Sequence, residues 1–177
     1  MKNEGKRFED DIKKSVPDYV LYYRLPDPPQ SFGGSSILRF SRKNPFDFLM
    51  WDSINRTLFA IETKTVKGKS ISFERNKNEN GLIHIHQIDN LKKWNEYDGI
   101  KCGFIIEFRQ IETTVFIDIE SFHKLLNLIT KKSFTIKDFD DNNLEYIVIP
   151  QVKKRTRYIY DLDKFFKLIS EEKNDRD

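Results

Sequence analysis

Two short apolar runs, each carrying a single acid, constrain this chain more than any other feature. Asn44-Pro45-Phe46-Asp47-Phe48-Leu49-Met50-Trp51 is apolar around one acid, and Leu58-Phe59-Ala60-Ile61-Glu62-Thr63-Lys64 ends in an acid and a lysine, Glu62 lying 15 residues after Asp47. The polar stretch Asp52-Ser53-Ile54-Asn55-Arg56 between them suits a short hairpin connection. Paired strands would bring Asp47, Glu62 and Lys64 to one point, because residues two apart share a strand face. Two carboxylates at one point repel, and each raises the other's pKa unless a cation sits between them. A hard divalent ion with oxygen ligands is the natural partner. A lysine beside such an ion can hold or activate a water, which makes the set a candidate phosphodiester-cleaving centre. For either acid alone the plainer reading is an edge-strand acid paired with a nearby lysine; the combined spacing is what points to a centre.

Length and composition set the outer bounds. A chain of 177 residues fits one domain over 1–170 with a polar tail at 171–177, and 38% apolar against 33% charged residues is a soluble profile. No run reaches the roughly 18 apolar residues of a membrane span, and the polar N-terminus does not read as a signal peptide. The single cysteine, Cys102, excludes an internal disulfide and a cysteine-based zinc cluster, so a cytoplasmic protein with no membrane partner is expected. A net charge of +3 says little about nucleic acid, but its distribution says more. Between Arg39 and Lys77 nine cations face four acids, and Lys153-Lys154-Arg155-Thr156-Arg157 adds four more cations with no acid. Such clusters can neutralise phosphates, although a solvated face is the commoner meaning of any one run.

Taken in order, 3–15 has the periodicity of an amphipathic helix ended by Pro17, and Tyr19–Arg24 reads as a strand. Glu9 on that helix is either a surface ion pair with Lys13 or a ligand reaching the centre from the flank. The stretch 25–43 is a Pro- and Gly-rich loop that ends in Arg39, Arg42 and Lys43, immediately before Asp47. After Lys64 come a basic turn with Lys67 and Lys69, a short alternating segment, and a helix over 82–97 carrying His84, His86 and Gln87. Two histidines two apart on a helix point in different directions, so a joint metal site is not expected. Gln87, near the N-terminal end of the helix, is a better candidate to orient a water or a phosphate, although a glutamine on a helix is ordinarily a solvent-exposed residue. Cys102–Phe108 and Thr114–Ile119 read as strands, the first apolar enough to be buried on both faces. A helix over 120–129, an acidic Asn-rich turn between Ile136 and Tyr146, a strand over 146–150 and a last helix over 161–171 complete the order. The expected architecture is α/β, a mixed central sheet flanked by helices.

With these residues in place, the chain resembles the PD-(D/E)XK nuclease superfamily: Asn44-Pro45-Phe46-Asp47 with Phe46 inserted, followed by Glu62-Thr63-Lys64. Gly5-Lys6-Arg7-Phe8-Glu9-Asp10-Asp11-Ile12, His86-Gln87-Ile88, and Ile149-Pro150 through Arg157 and Asp161-Leu162 are similar to RecU-type Holliday junction resolvases. The resemblance implies a restriction-endonuclease-like three-layer core. It also implies Mg²⁺ or Mn²⁺ held by Asp47, Glu62, the Thr63 carbonyl and Glu9, with Lys64 acting on the attacking water and Gln87 beside it. A homodimer nicking a four-way DNA junction is implied, with 5′-phosphate and 3′-hydroxyl products. Arg24, Arg39, Arg42, Lys43, Lys67, Lys69, Lys153, Lys154, Arg155 and Arg157 are the candidate DNA contacts. Bacterial members carry a longer basic stalk where 25–43 stands here, which is closer to phage-borne relatives. The alternatives are a same-superfamily nuclease acting on duplex, flap or fork DNA, and a non-catalytic DNA-binding relative.

Overall fold

The computed structural model describes residues 3–26 and 44–174. Arg39, Arg42, Lys43 and the rest of 27–43 therefore lie outside the described residues. The first helix, α1 (Glu4–Lys14), starts where the Asn3 side chain accepts the Gly5 N–H at 3.1 Å, and it buries Phe8, Asp11 and Ile12 along one stripe. Strands β1 (Val20–Arg24), β2 (Phe48–Asp52) and β3 (Thr57–Val66) then form an antiparallel meander. The β2–β3 turn is held by Asp52, whose Oδ1 accepts the N–H groups of Ile54 at 2.9 Å and Asn55 at 3.2 Å.

Beyond β4 (Ile71–Ser72) and α2 (Ile85–Asn95), β5 (Ile100–Phe108) runs parallel to β3. Then come β6 (Thr113–Asp118), α3 (Ile119–Leu128), β7 (Ser133–Phe134), α4 (Ile136–Asp141), β8 (Ile147–Ile149), β9 (Gln151–Lys154), β10 (Arg157–Tyr160) and α5 (Leu162–Asn174). The central sheet has the order β1-β2-β3-β5-β6-β8, and its one parallel pair makes it mixed. On one face Ala60, Cys102, Phe104 and Ile106 pack against α2, α3 and α4; on the other Phe59, Ile61, Ile105 and Phe116 pack against α1 and α5. The chain is thus an α/β three-layer structure, as expected from its sequence. Strand β5 is sealed from Cys102 to Phe108, and a Cβ on Gly103 would stand 2.4 Å from the Ile117 carbonyl, so only glycine lets β5 and β6 approach there.

Three local expectations need correction. The helix expected over 82–97 begins at Ile85, so His84 is its N-cap rather than a helical residue. The His84 and His86 rings do not diverge; they stack at 5.4 Å, because the cap residue has extended backbone (ψ 146°) and is free of helical periodicity. The acidic stretch after Ile136 is a helix, nucleated by Asp138, whose Oδ2 accepts the Thr135 N–H at 2.7 Å and hydroxyl at 3.0 Å. The basic run 153–157 belongs to a β9–β10 hairpin, whose two-residue connection puts Arg155 at φ 47°.

Candidate active site

Asp47 stands immediately before β2 begins. Its N–H donates to the Ile61 carbonyl at 3.1 Å, and the Phe48–Ile61 register continued by one residue brings it opposite Glu62. The bend at Pro45–Asp47 takes the side chain out of the strand, so that Asp47 Oδ2 accepts the N–H of Thr63 at 2.7 Å and its hydroxyl at 2.6 Å. Phe46, the residue inserted before this acid, is buried edge-on to Trp94 of α2 with ring centroids 5.0 Å apart. The insertion therefore anchors the bend to the helix that carries Gln87.

Glu62 and Lys64 share the α2 face of β3, as the two-residue period requires. Lys64 Nζ donates to Glu62 Oε1 at 2.8 Å, and Gln87 Nε2 donates to the same oxygen. Gln87 is itself buried in the first turn of α2, where its Oε1 accepts the His84 N–H at 3.0 Å. Glu62 is only 3% exposed. Burial first, and then the charge of Asp47, push its carboxyl up to about 7, although Lys64 pulls the other way. One lysine and one amide thus leave two neighbouring acids short of positive charge.

Glu9 approaches from α1 on the other side of β3, and its Oε2 accepts the Arg24 Nε–H at 2.8 Å rather than pairing with Lys13. Its charge adds to the upward push on Glu62. Tyr22, which sequence reasoning did not single out, is driven up to about 12 by burial and by the charges of Glu9 and Asp47, so it stays a neutral hydroxyl. No motif marks it; only its place in β1 opposite Met50 does.

Among the described residues, no group of three or more His, Cys, Asp or Glu side chains has the spacing of a metal cage. The donor set nevertheless fits a small hard cation. Mg²⁺ is commonly held by one or two carboxylates with water completing its shell, and the raised Glu62 carboxyl marks a place where added positive charge is favourable. Asp47 and Glu62 are the residues that would hold it. Glu9 is turned to Arg24 and stands at the margin.

The candidate DNA contacts divide by their surroundings. Arg157 Nε lies 2.5 Å from buried Asp11, and Lys153 pairs with Glu112. Lys67, Lys69, Lys154 and Arg155 are exposed. The hairpin that carries the last two is tied to α1, since Arg7 donates to the Thr156 carbonyl.

No protein-family model matches the sequence. The chain is 30% identical over 191 residues to the SPbeta prophage-derived uncharacterized protein YotM of Bacillus subtilis (strain 168), covering 99% of this chain and 91% of that protein. The structure is similar to Hjc, a Holliday junction resolvase from the archaeal hyperthermophile Archaeoglobus fulgidus, with a TM-score of 0.46 and 16% identity over 77% of this chain and 92% of that one. Among the described residues no helix is long and apolar enough to cross a membrane.

Proposed function

The chain belongs to one family with the prophage-derived YotM, and from that premise we propose that it is a metal-dependent, structure-selective DNA endonuclease of the RecU type. Its substrate is the four-way junction, cut by paired nicks from a homodimer. The observation that carries this reading is Glu62, a buried carboxyl raised to about 7 beside a second acid, with the Lys64 ammonium 2.8 Å away. A structural ion pair has no use for the second acid, whereas a phosphodiester-cleaving centre needs both. The prophage origin of YotM supports the phage-type form, whose sequence is shorter than the stalk of bacterial members at 25–43.

A bound Mg²⁺ or Mn²⁺ supplies charge for the phosphate oxygens and makes a coordinated water acidic. Asp47 and Glu62 would hold the ion, with the Thr63 carbonyl as a further donor. Lys64 orients the attacking water and takes part in its deprotonation. Gln87 holds Glu62 in place from the α2 side. Water adds to phosphorus as the bond to the 3′ oxygen breaks, leaving a 5′-phosphate and a 3′-hydroxyl. Lys67, Lys69, Lys154 and Arg155 meet the DNA backbone, together with Arg39, Arg42 and Lys43, which precede Asp47 in the sequence.

The test sets a labelled four-way junction against flap, fork and linear duplex, each with and without Mg²⁺ and Mn²⁺. Cation-dependent paired nicking of the junction, lost in Asp47→Ala and Lys64→Ala, is expected. Preference for linear duplex would move the reading to a restriction-type nuclease. Junction binding that needs no metal, with no cleavage under either ion, would sink it.

A further inference from the structure

Beyond the residues given roles above, the wall of the site contains a second buried glutamate. Glu74 follows β4 and is 8% exposed. Its backbone is fixed between two segments: its N–H donates to the Ile83 carbonyl at 2.9 Å, and the Ile83 N–H donates to the Ser72 carbonyl at 3.0 Å. Gly81 permits this approach, because a Cβ there would lie 2.5 Å from the Phe73 carbonyl carbon. The Glu74 side chain then spans the start of α2. Oε1 accepts the His84 Nδ1–H at 2.7 Å, and Oε2 accepts the Ile85 N–H at 2.9 Å.

His84 is also the residue whose N–H meets Gln87 Oε1 at 3.0 Å, and Gln87 Nε2 in turn donates to Glu62. A carboxamide has one accepting and one donating end. With the oxygen engaged by the His84 N–H, the NH₂ is forced toward Glu62. A flipped amide would set its oxygen against a carboxylate and its NH₂ against an N–H. The direction of the Gln87 amide therefore depends on where the His84 backbone lies, and Glu74 grips that backbone from both sides, through the ring of His84 and the N–H of Ile85.

We infer that Glu74 and His84 form a positioning unit that acts through Gln87 to orient the Glu62 carboxylate. This rests on the nuclease reading for its kinetic consequence, but its structural content stands apart from that reading. Glu74 reaches Glu62 only through this relay, Glu74 to His84, His84 to Gln87 and Gln87 to Glu62.

The test joins a spectroscopic and a kinetic arm. The side-chain amide signals of Gln87 in a ¹⁵N–¹H spectrum are assigned by their loss in Gln87→Ala. In Glu74→Ala they are expected to move to the position of a solvent-exposed glutamine, and in Glu74→Gln, which keeps an accepting oxygen, to stay near wild type. For junction cleavage, Glu74→Ala is expected to lower kcat by about tenfold or more with KM unchanged, the scale on which residues behind a metal ligand act. Glu74→Gln is expected to recover most of that loss, and Glu74→Ala/Gln87→Ala to be no slower than Gln87→Ala. Unmoved Gln87 signals in folded Glu74→Ala, or a double variant slower by the product of the two single effects, would overturn the inference. If Glu74→Ala does not fold, His84→Ala removes the ring, leaves the bond to Ile85, and is read by the same two criteria. Should the wild-type protein cleave no DNA, the nuclease reading falls while the spectroscopic arm still decides this one.

Discussion

Glu62 and Glu74 are both glutamates sealed from solvent, yet the fold drives their carboxyls in opposite directions. Glu74 is held below the ordinary carboxylate range, first by the His84 ring and then by the Ile85 N–H. Glu62 is pushed up to about 7 by its own burial and by Asp47, despite Lys64. Both have little accessible surface, yet desolvation is the largest cause of the shift at Glu62 and only a lesser, opposing one at Glu74. The rest of the difference lies in who else is near: Glu74 meets only donors, while Glu62 meets two donors and a competing acid. A carboxylate fully matched by its neighbours stabilises a fold. One left short of positive charge is where the proposed function places the cation.

The largest effect expected from that contrast is kinetic. Lys64→Ala should slow junction cleavage by about 10²–10⁴-fold, the usual contribution of a positioned proton-transfer group, and Asp47→Ala, which removes a cation-holding carboxylate, by at least as much, whereas substitution of Glu74 should cost far less. Equal losses at all three positions in a gel cleavage assay would erase the distinction.

Equilibrium stability comes next, with opposite signs. For Glu62, a folded value of about 7 against the ordinary 4.5 means that the native state keeps a proton the unfolded chain has released. Metal-free stability should therefore fall as pH rises through the window from 4.5 to about 7, by about 3 kcal/mol in all. Glu62→Gln should flatten that slope and be the more stable protein at pH 8 in urea unfolding. Glu74→Gln should instead be destabilised by about 1–3 kcal/mol, the effect of leaving a buried partner unmet. If both substitutions shift stability in the same direction at pH 8, the contrast is wrong.

A cation should close the gap. Mg²⁺ at a hundredfold excess over its Kd would stabilise the wild-type chain by about 2.7 kcal/mol and leave Glu62→Gln and Asp47→Ala nearly unmoved, which thermal unfolding at fixed pH reads directly. Smaller again is Gly81→Ala. Its Cβ would meet the Phe73 backbone at 2.5 Å, so the strand must shift. A loss of about 1–2 kcal/mol is expected, together with movement of the Gln87 amide signals.

Much of the Glu62 side of the contrast is legible in the chain before any coordinates. Asp47, Glu62 and Lys64 lie on two runs whose alternation and intervening turn fix a hairpin, and a hairpin leaves little freedom about which side chains meet. Gln87 is visible only through the resemblance, since a glutamine on a helix is ordinarily a surface residue. Glu74 is not visible at all. Its partners are brought to it by the isolated bridge between Phe73 and Ile83 and by the close approach at Gly81, neither of which has a periodic signature. The misread turn after Ile136 is a different case. Thr135-Ile136-Lys137-Asp138 has the form of an N-terminal capping box, a local signal that the Asp- and Asn-rich composition obscured. The β9–β10 hairpin was hidden for a related reason: its connection, Arg155-Thr156, contains none of the glycine or asparagine that normally takes positive φ.

The ion pairs of Arg24 and Arg157 carry a consequence for counterions. Each guanidinium already has a carboxylate within 2.8 Å, on Glu9 and Asp11 respectively, and both carboxylates are largely buried. A cation neutralised inside the protein does not displace condensed sodium or potassium from DNA. Affinity for duplex arms falls with salt by about 0.9 logarithmic units per newly formed phosphate contact. Those two arginines should therefore take about 1.8 off the magnitude of the slope that a tally of basic residues would give. A salt titration of junction binding thus counts, without any structure, how many of the chain's positive charges are held for DNA and how many for the fold.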